Sequence, residues 1–329
     1  MFVVKILYFC ILVIELKMEK KPTISVIVPV YGVEKYIAHF AETLFSQSYP
    51  NAQFVFVNDG TKDSSMEVLN RVIDEKYSHL RPQIVIVNKE NGGLPAARRT
   101  GLEHATGDYV FNVDPDDWLA EGALEKMAEK IAETDCDILY FGMLKVYAKR
   151  KSYKHQRVYT AEEREKFVWD IYNHHAMGSL CNKCIKRSLF EEHTIHTPRY
   201  SHAEDCFVTT QLVGYAQSFA YLDEMLYCYR KDNPTAMTRN SIRRRKREYA
   251  LNFLDLYEKY HEVPTEQNPV AVILDDIVMQ AGWYSTFYRL DLFKAYPYLA
   301  AAVRKAKIHL KTDVPIVAQL FTKLVALFK

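Results

Sequence analysis

The sequence predicts an α/β fold: a doubly wound, mostly parallel sheet followed by a helical C-terminal region. Three observations predict it. Four short apolar runs between residues 24 and 113 alternate with amphipathic stretches, a βαβαβαβ order. The runs are apolar throughout instead of alternating with polar residues, as strands covered on both faces require. From residue 242 onwards, helical periodicity replaces the strand-like runs.

The elements follow in order. Ile24-Ser-Val-Ile-Val28 is the first strand, and Pro29-Val-Tyr-Gly turns into an amphipathic stretch from Glu34 to Gln47. Phe54-Val-Phe-Val57 is the second, ending in Asn58-Asp-Gly-Thr. Asp63 is placed to cap a helix whose apolar side is Met66, Val68, Leu69, Val72 and Ile73. Ile84-Val-Ile-Val87 is the third strand and leads through Asn88-Lys-Glu-Asn-Gly-Gly-Leu-Pro into a helix over 95–105. Tyr109-Val-Phe-Asn-Val113 is the fourth, and it runs straight into Asp114, Asp116 and Asp117. Beyond it come a helix over 121–132, a strand over 138–146, and a loop or exposed hairpin over 147–157. Helical patterns cover 161–173 and 204–216, with a strand-like run over 219–229 between them and the helices at 243–260, 270–288, 292–309 and 314–328.

This order divides the chain into an extension (1–21), an α/β domain (22–240, with halves 22–120 and 121–240) and a helical region (241–329). Residues 2–16 are apolar but include Lys5 and fall short of the roughly 20 residues a spanning helix needs. Residues 1–17 read as an upstream mis-start, or as a weak membrane contact. The net charge of +2 conceals basic runs at 145–154, 239–247 and 304–311. Arg243-Arg-Arg-Lys-Arg247 is short and heads a helix, so a solvated face or membrane contact is expected there in preference to nucleic acid. The last helical pattern combines a wide apolar face with Lys323 and Lys329, which fits either a membrane surface or packing onto its own domain.

The six cysteines are scattered through 329 residues and imply no disulfide framework, which suits a cytoplasmic protein. Cys181-Asn-Lys-Cys184 is a single C-x-x-C near His174, His175, His193 and His196. It reads first as buried thiols and second as a zinc site.

The chemistry gathers around Asp114-Pro-Asp-Asp117. A strand ending there delivers negative charge to the carboxyl edge of a sheet, where open α/β folds bind their ligands. Pro115 biases Asp114 towards extended backbone, so Asp114 and Asp116 point the same way and suit a hard cation, Mn²⁺ or Mg²⁺. The bland alternative has Asp116 or Asp117 capping a helix that starts near Leu119. Asp59 can accept from an imide N–H of a base, Tyr31 can stack on that base, and Glu34 can accept from a ribose hydroxyl. Against these stand a tight turn for Asp59 and a helix-start carboxylate for Glu34. Gly92-Gly-Leu-Pro-Ala-Ala-Arg98 puts small residues and a cation at a helix start, a setting for an anion. Neither G-K-[ST] nor G-x-G-x-x-G is present there, which argues against a P-loop ATPase and a dinucleotide oxidoreductase. Glu204-Asp205 offers a general base, or only a helix cap, and Arg230 a cation for phosphate or a surface pair.

Taken in order, these residues resemble the inverting family-2 glycosyltransferases of the GT-A fold. The resemblance is carried by Val26-Ile-Val-Pro-Val-Tyr31 with Glu34, Ser46-Gln-Ser-Tyr-Pro50, Asn58-Asp-Gly-Thr, Asn91-Gly-Gly-Leu-Pro-Ala-Ala-Arg98, Ala105-Thr-Gly-Asp108 and Asp114-Pro-Asp-Asp117. It is looser through Asn182-Lys183, Glu204-Asp205 and Tyr229-Arg230.

The resemblance implies a metal-dependent enzyme moving a sugar from a nucleotide sugar, UDP-linked by expectation, to a glycan or lipid-linked oligosaccharide in cell-surface polysaccharide synthesis. It places Asp205 as the base with Glu204 beside it, and Asp116 and Asp114 on the metal. Pro29, Tyr31, Glu34, Asp59, Gly93, Arg98, Asp114 and Arg230 fall around the donor. The expected location is the cytoplasm, with peripheral contact at the inner face of the membrane. Three positions depart from the family pattern: Asn58 where an aspartate is usual, Arg99 where an asparagine is usual, and Pro115 inside the metal motif. Two rivals remain, a nucleotide-sugar-binding scaffold without catalysis and a sugar nucleotidyltransferase.

Overall fold

Strand β1 (Ile24–Val30) lies within a nine-stranded sheet and is buried along its whole length. The computed structural model describes residues 21–234, 236, 242–261 and 268–279. β1 pairs in parallel with β2 (Ala52–Asn58) on one side and β4 (Tyr109–Asn112) on the other, and β3 (Ile84–Asn88) extends the parallel set beyond β2.

Side-chain alternation decides which helices cover which face. Val26, Val28, Phe54 and Phe56 point into one large apolar cluster. It is shared with α1 (Ile37–Phe45), α2 (Ser65–Lys76) and α4 (Ala123–Thr134), through residues such as Phe40, Leu69 and Met127. Val55 and Val57 point the other way, onto Ala97 of α3 (Leu94–Glu103). Helices on both faces make the sheet doubly wound, and each large apolar side chain fully buried there contributes roughly 1.5–3 kcal/mol. Helix α3 approaches closely because Gly101 has no side chain; a Cβ there would overlap Ile27 Cγ2.

The second half of the sheet is mixed. β8 (Lys183–Lys186) runs antiparallel between β4 and β6 (Ile138–Tyr147), and β6 pairs in parallel with β9 (Phe219–Arg230) across an irregularity at Gly142. β7 (Arg150–Lys154) hangs on β6 as a hairpin, and β5 (Trp118–Leu119) pairs antiparallel with β9. The helices of this half are α5 (Arg164–Tyr172), α6 (Ser188–Glu192) and α7 (Glu204–Tyr215).

Several details differ from the sequence reading. No helix starts near Leu119, so Asp116 and Asp117 cap none. Residues 118–119 form β5 instead, and α4 begins at Ala123 after the left-handed Gly122. β8 and α6 went unforeseen, being only four and five residues long with no periodicity to show. Asp63 lies one residue before the capping position of α2, yet it still accepts from the N–H of Ser65. The five cysteines among the described residues are free and buried, as plain thiols. No group of three or more metal-ligating side chains converges among the described residues.

The chain divides into two compact units, 1–239 and 240–329. In the second, α8 (Ile242–His261) and α9 (Pro269–Met279) are described, and Asn268 caps α9 by accepting from the N–H of Val270 at 3.1 Å. The remainder of the predicted 270–288 helix, those at 292–309 and 314–328, and the extension at 1–20 lie outside the described residues. Among the described residues no helix is long and apolar enough to cross a membrane.

Candidate active site

β1 lies between β2 and β4, so Asp59 beyond β2 and Asp114 and Asp116 beyond β4 open on one carboxyl edge. Asp59 is only 3% exposed. One of its oxygens accepts from Lys89 Nζ at 2.6 Å and from the N–H of Gly92 at 2.9 Å; the other accepts from the N–H of Gly93 at 2.8 Å. These bonds tie the loop before α3 to the tip of β2. A carboxylate has about four acceptor sites, so one remains. Gly93 precedes the helix at φ +83°, a conformation that penalises any side chain.

From within α3, Arg98 reaches two carboxylates. Its Nη2 donates to Asp114 Oδ1 at 2.8 Å and its Nη1 to Glu204 Oε1, while its buried Nε meets no partner among the described residues. Burial disfavours the guanidinium charge, but Asp114 and Asp205 outweigh it and the pKa is raised. One side chain therefore joins the tip of β4 to the start of α7, and a pair such as Arg98 and Glu204, 106 positions apart, is not advertised in sequence.

The three carboxylates after β4 part company. Asp114 takes Arg98, and its N–H donates to Tyr227 Oη at 3.1 Å. Asp116 accepts from Asn233 Nδ2 at 2.7 Å, and burial, then the charge of Asp114, raises its pKa. Asp117 turns inwards at 1% exposure, accepting from Tyr227 Oη at 2.6 Å and from the N–H of Arg230 at 2.7 Å. Burial pushes its pKa well up, with Asp116 and Asp114 adding to the effect. Asp117 is thus a latch holding β9 against the loop. Arg230 donates from Nε to the backbone carbonyl of Asp116 at 2.8 Å, and its guanidinium lies 5.1 Å from the Tyr36 ring centroid and 4.9 Å from that of Trp118.

Glu204 and Asp205 are also distinct. Glu204 is 4% exposed and committed to Arg98. Asp205 is half-buried, and one oxygen accepts from the N–H of Cys206 at 2.8 Å. Burial raises the pKa of Asp205; Asp114 adds to this, while Arg98, the Cys206 N–H and Lys183 oppose it. The capping position of α7 is Ala203, which offers no side-chain acceptor and holds the left-handed φ of +59°. That conformation is costly for a non-glycine residue, and such strain tends to gather at functional sites.

Tyr31 lies past the end of β1 with 55% of its surface exposed. Pro29 is buried within β1, opposite Val57. Glu34 does not serve the start of its own helix. It accepts from the N–H of Ser64 at 3.2 Å while its own N–H donates to Asp63 at 3.1 Å, pinning the β1–α1 loop to the start of α2. Asn58 bridges strand tips: its amide donates to Asn88 Oδ1 at 2.9 Å and accepts from the N–H of Thr61 at 3.0 Å. A neutral amide can do both, which an aspartate cannot. Arg99 pairs with Glu103 on the surface, away from these groups. Sequence reasoning missed Lys89, Tyr227, Asn233, Tyr36 and Trp118, all of which hold the named residues in place. Lys89 and Asn233 follow strand ends and Trp118 follows the carboxylates, which is the signal they carry; Tyr36, at the start of α1, and Tyr227, inside β9, carry none.

The chain as a whole is similar to known proteins. Residues 25–194 match the family model described as Glycosyl transferase family 2. The chain belongs to glycosyltransferase family 2. Glycosyltransferase GlyA of Streptococcus pneumoniae serotype 4 is 31% identical over 225 residues, which cover 63% of this chain and 30% of GlyA. The chain therefore spans under a third of that relative. Among solved structures, residues 1–349 of S. aureus TarS in complex with UDP-GlcNAc superpose with a TM-score of 0.60 at 21% identity, covering 83% of this chain and 76% of that one. Mannosyltransferase PcManGT from Pyrobaculum calidifontis, in complex with GDP-Man and Mn²⁺, superposes with a TM-score of 0.52 at 18% identity, covering 94% and 81%. At these identities the two structures speak for the GT-A fold alone, and this family-2 chain adopts it.

Proposed function

We propose that this family-2 glycosyltransferase is metal-dependent and inverting, and that it moves a sugar from a nucleoside diphosphate sugar, UDP-linked, to a hydroxyl of a glycan or lipid-linked oligosaccharide in cell-surface polysaccharide synthesis. One observation carries the reading: Arg98 binds Asp114 and Glu204 at once, so the candidate base Asp205 shares an edge with the carboxylates at 114 and 116. In this reading Asp205 takes the acceptor O–H proton, the acceptor oxygen bonds to the anomeric carbon, and the bond to the diphosphate oxygen breaks with its electron pair leaving on the nucleotide. A carboxylate with a raised pKa is the stronger base for that transfer.

Asp116 and Asp114 would hold Mn²⁺ or Mg²⁺ together with diphosphate oxygens. The donor set fits: both ligands are hard oxygens, and a divalent cation would offset both the burial and the neighbouring charge of Asp114 that raise the pKa of Asp116. When bound, the ion neutralises the leaving diphosphate. Tyr31 provides an open ring for the base, and the remaining acceptor site of Asp59 suits an imide N–H. TarS with UDP-GlcNAc and PcManGT with GDP-Man and Mn²⁺ support a nucleotide-sugar donor and a metal.

The test is product identity. Incubation with UDP- and GDP-sugars, Mn²⁺ and a surface-glycan acceptor is expected to release nucleoside diphosphate and form a glycoside of inverted anomeric configuration. Pyrophosphate release from a nucleoside triphosphate would make the protein a nucleotidyltransferase. Thermal stabilisation by nucleotide sugars without turnover would make it a scaffold.

A further inference from the structure

The hairpin β6–β7 carries a feature that the proposed chemistry does not use. Between residues 145 and 154 lie Lys145, Lys149, Arg150, Lys151 and Lys154, with no acidic residue in the segment. Among the described residues none of these five forms an ion pair with a carboxylate. The strand register places three of them, Lys145, Arg150 and Lys154, on one face. Lys154, Met143 and Tyr227 share one rung; Ser152, Lys145 and Tyr229 share the next on that face. Successive rungs on a face are about 7 Å apart. Burial lowers the pKa of Lys145, and Lys154 lowers it further, so two cations are held together without a counter-charge.

Aromatic rings interleave with the cations. Arg150 lies 4.2 Å over the ring of Tyr147, and Lys231 lies 4.5 Å over the ring of Tyr229. Tyr153, on the opposite face of the hairpin with Lys151, is 63% exposed. The opposite face of the same strands leads to the candidate active site: there Lys151, Val146 and Arg230 share a rung, and Arg230 donates to the carbonyl of Asp116.

Lysines on an edge strand also deter unwanted strand pairing. That accounts for Arg150, Lys151 and Lys154 on β7. It does not account for Lys145, because β6 is paired on both sides at that point. The tip residues 147–150 include no large aliphatic side chain to insert into lipid.

We infer that the β6–β7 hairpin, with Tyr229 and Lys231, is a docking track for a linear polyanionic glycan, the acceptor chain of the reaction proposed above. It rests on that reading only for the word acceptor. Spaced cations capped by rings match a flexible chain of sugars or polyols bearing phosphodiester or uronate groups.

The test is direct binding by the whole chain, without turnover. Short poly(glycerol phosphate) and polygalacturonate serve as anionic probes, dextran as the neutral one, and phosphatidylglycerol vesicles as the lipid one. At least one anionic polymer is expected to bind, more weakly as salt is raised, with dextran silent. The variant Lys145→Gln/Arg150→Gln/Lys151→Gln/Lys154→Gln is expected to lose at least about tenfold in affinity. A variant with Lys145, Lys151 and Lys154 changed to Arg is expected to keep it. Thermal stabilisation by UDP with Mn²⁺ is expected to be the same in all three proteins, which separates a failure here from a failure of the donor site. Equal polymer binding by the Gln variant, binding to the vesicles but to neither polymer, or no polymer binding by the native chain would each overturn the inference.

Discussion

Arg98 and Asp114 meet at 2.8 Å, although one sits inside a helix and the other just beyond a strand. The same guanidinium also holds Glu204, so a planar, two-pronged cation ties together two carboxylates from separate segments.

A lysine offers a single point charge and cannot serve both carboxylates in that geometry. Arg98→Lys is therefore expected to fold but to lose at least about tenfold in turnover. Arg98→Ala leaves two carboxylates unpaired and is expected to destabilise the protein by about 3–5 kcal/mol, read from chemical denaturation. If Arg98→Lys turned over at the native rate, the linkage would not matter to catalysis.

Asp205 and Glu204 are neighbours with different surroundings, so their amide variants should fail differently. Asp205→Asn is expected to abolish transfer while donor-induced thermal stabilisation persists. Glu204→Gln is expected to weaken the Arg98 pair and lower the melting temperature. Loss of donor binding in Asp205→Asn would remove Asp205 from the role of base.

Asp116→Ala is expected to abolish transfer and the Mn²⁺-dependent part of nucleotide binding. Nucleotide binding that responds equally to Mn²⁺ in this variant would move the metal elsewhere.

The pH profile follows from the surroundings of Asp205. Its pKa is raised, chiefly by burial, and a base works only when deprotonated. The acid limb of kcat/KM is thus expected above the usual aspartate range, with activity rising as pH climbs through it. In Asp205→Glu the limb is expected to move; an unmoved limb would assign it to another group.

Asp117 separates charge from hydrogen bonding. Its raised pKa means the folded state binds a proton more tightly than the unfolded chain does. Stability from this group is therefore fullest below the unfolded pKa and is lost as pH rises through the folded one. Asp117→Asn keeps one acceptor oxygen for the N–H of Arg230, turns an amide N–H towards Tyr227 Oη, which can accept it, and relieves the buried charge, so its melting temperature at neutral pH is expected to match or exceed the native value. Asp117→Ala strands Tyr227 and the N–H of Arg230 and is expected to cost about 1–3 kcal/mol.

The sequence by itself determined the parallel half of the sheet, because β1, β2, β3 and β4 are apolar runs whose pattern depends only on local composition. It also marked Asp59, Asp114, Asp116 and Asp205 as candidates, because carboxylates at strand ends and helix starts are visible in one dimension. Only the tertiary structure decided how these groups are divided. Asp117 faces inward while Asp116 does not, Glu204 is paired while Asp205 is half-open, and Glu34 secures a second helix. Each of those outcomes depends on a partner from another segment: Tyr227, Arg98 and Ser64. Charge and periodicity are local properties of a chain, whereas the pairing of a buried charge is a property of whatever folding places against it.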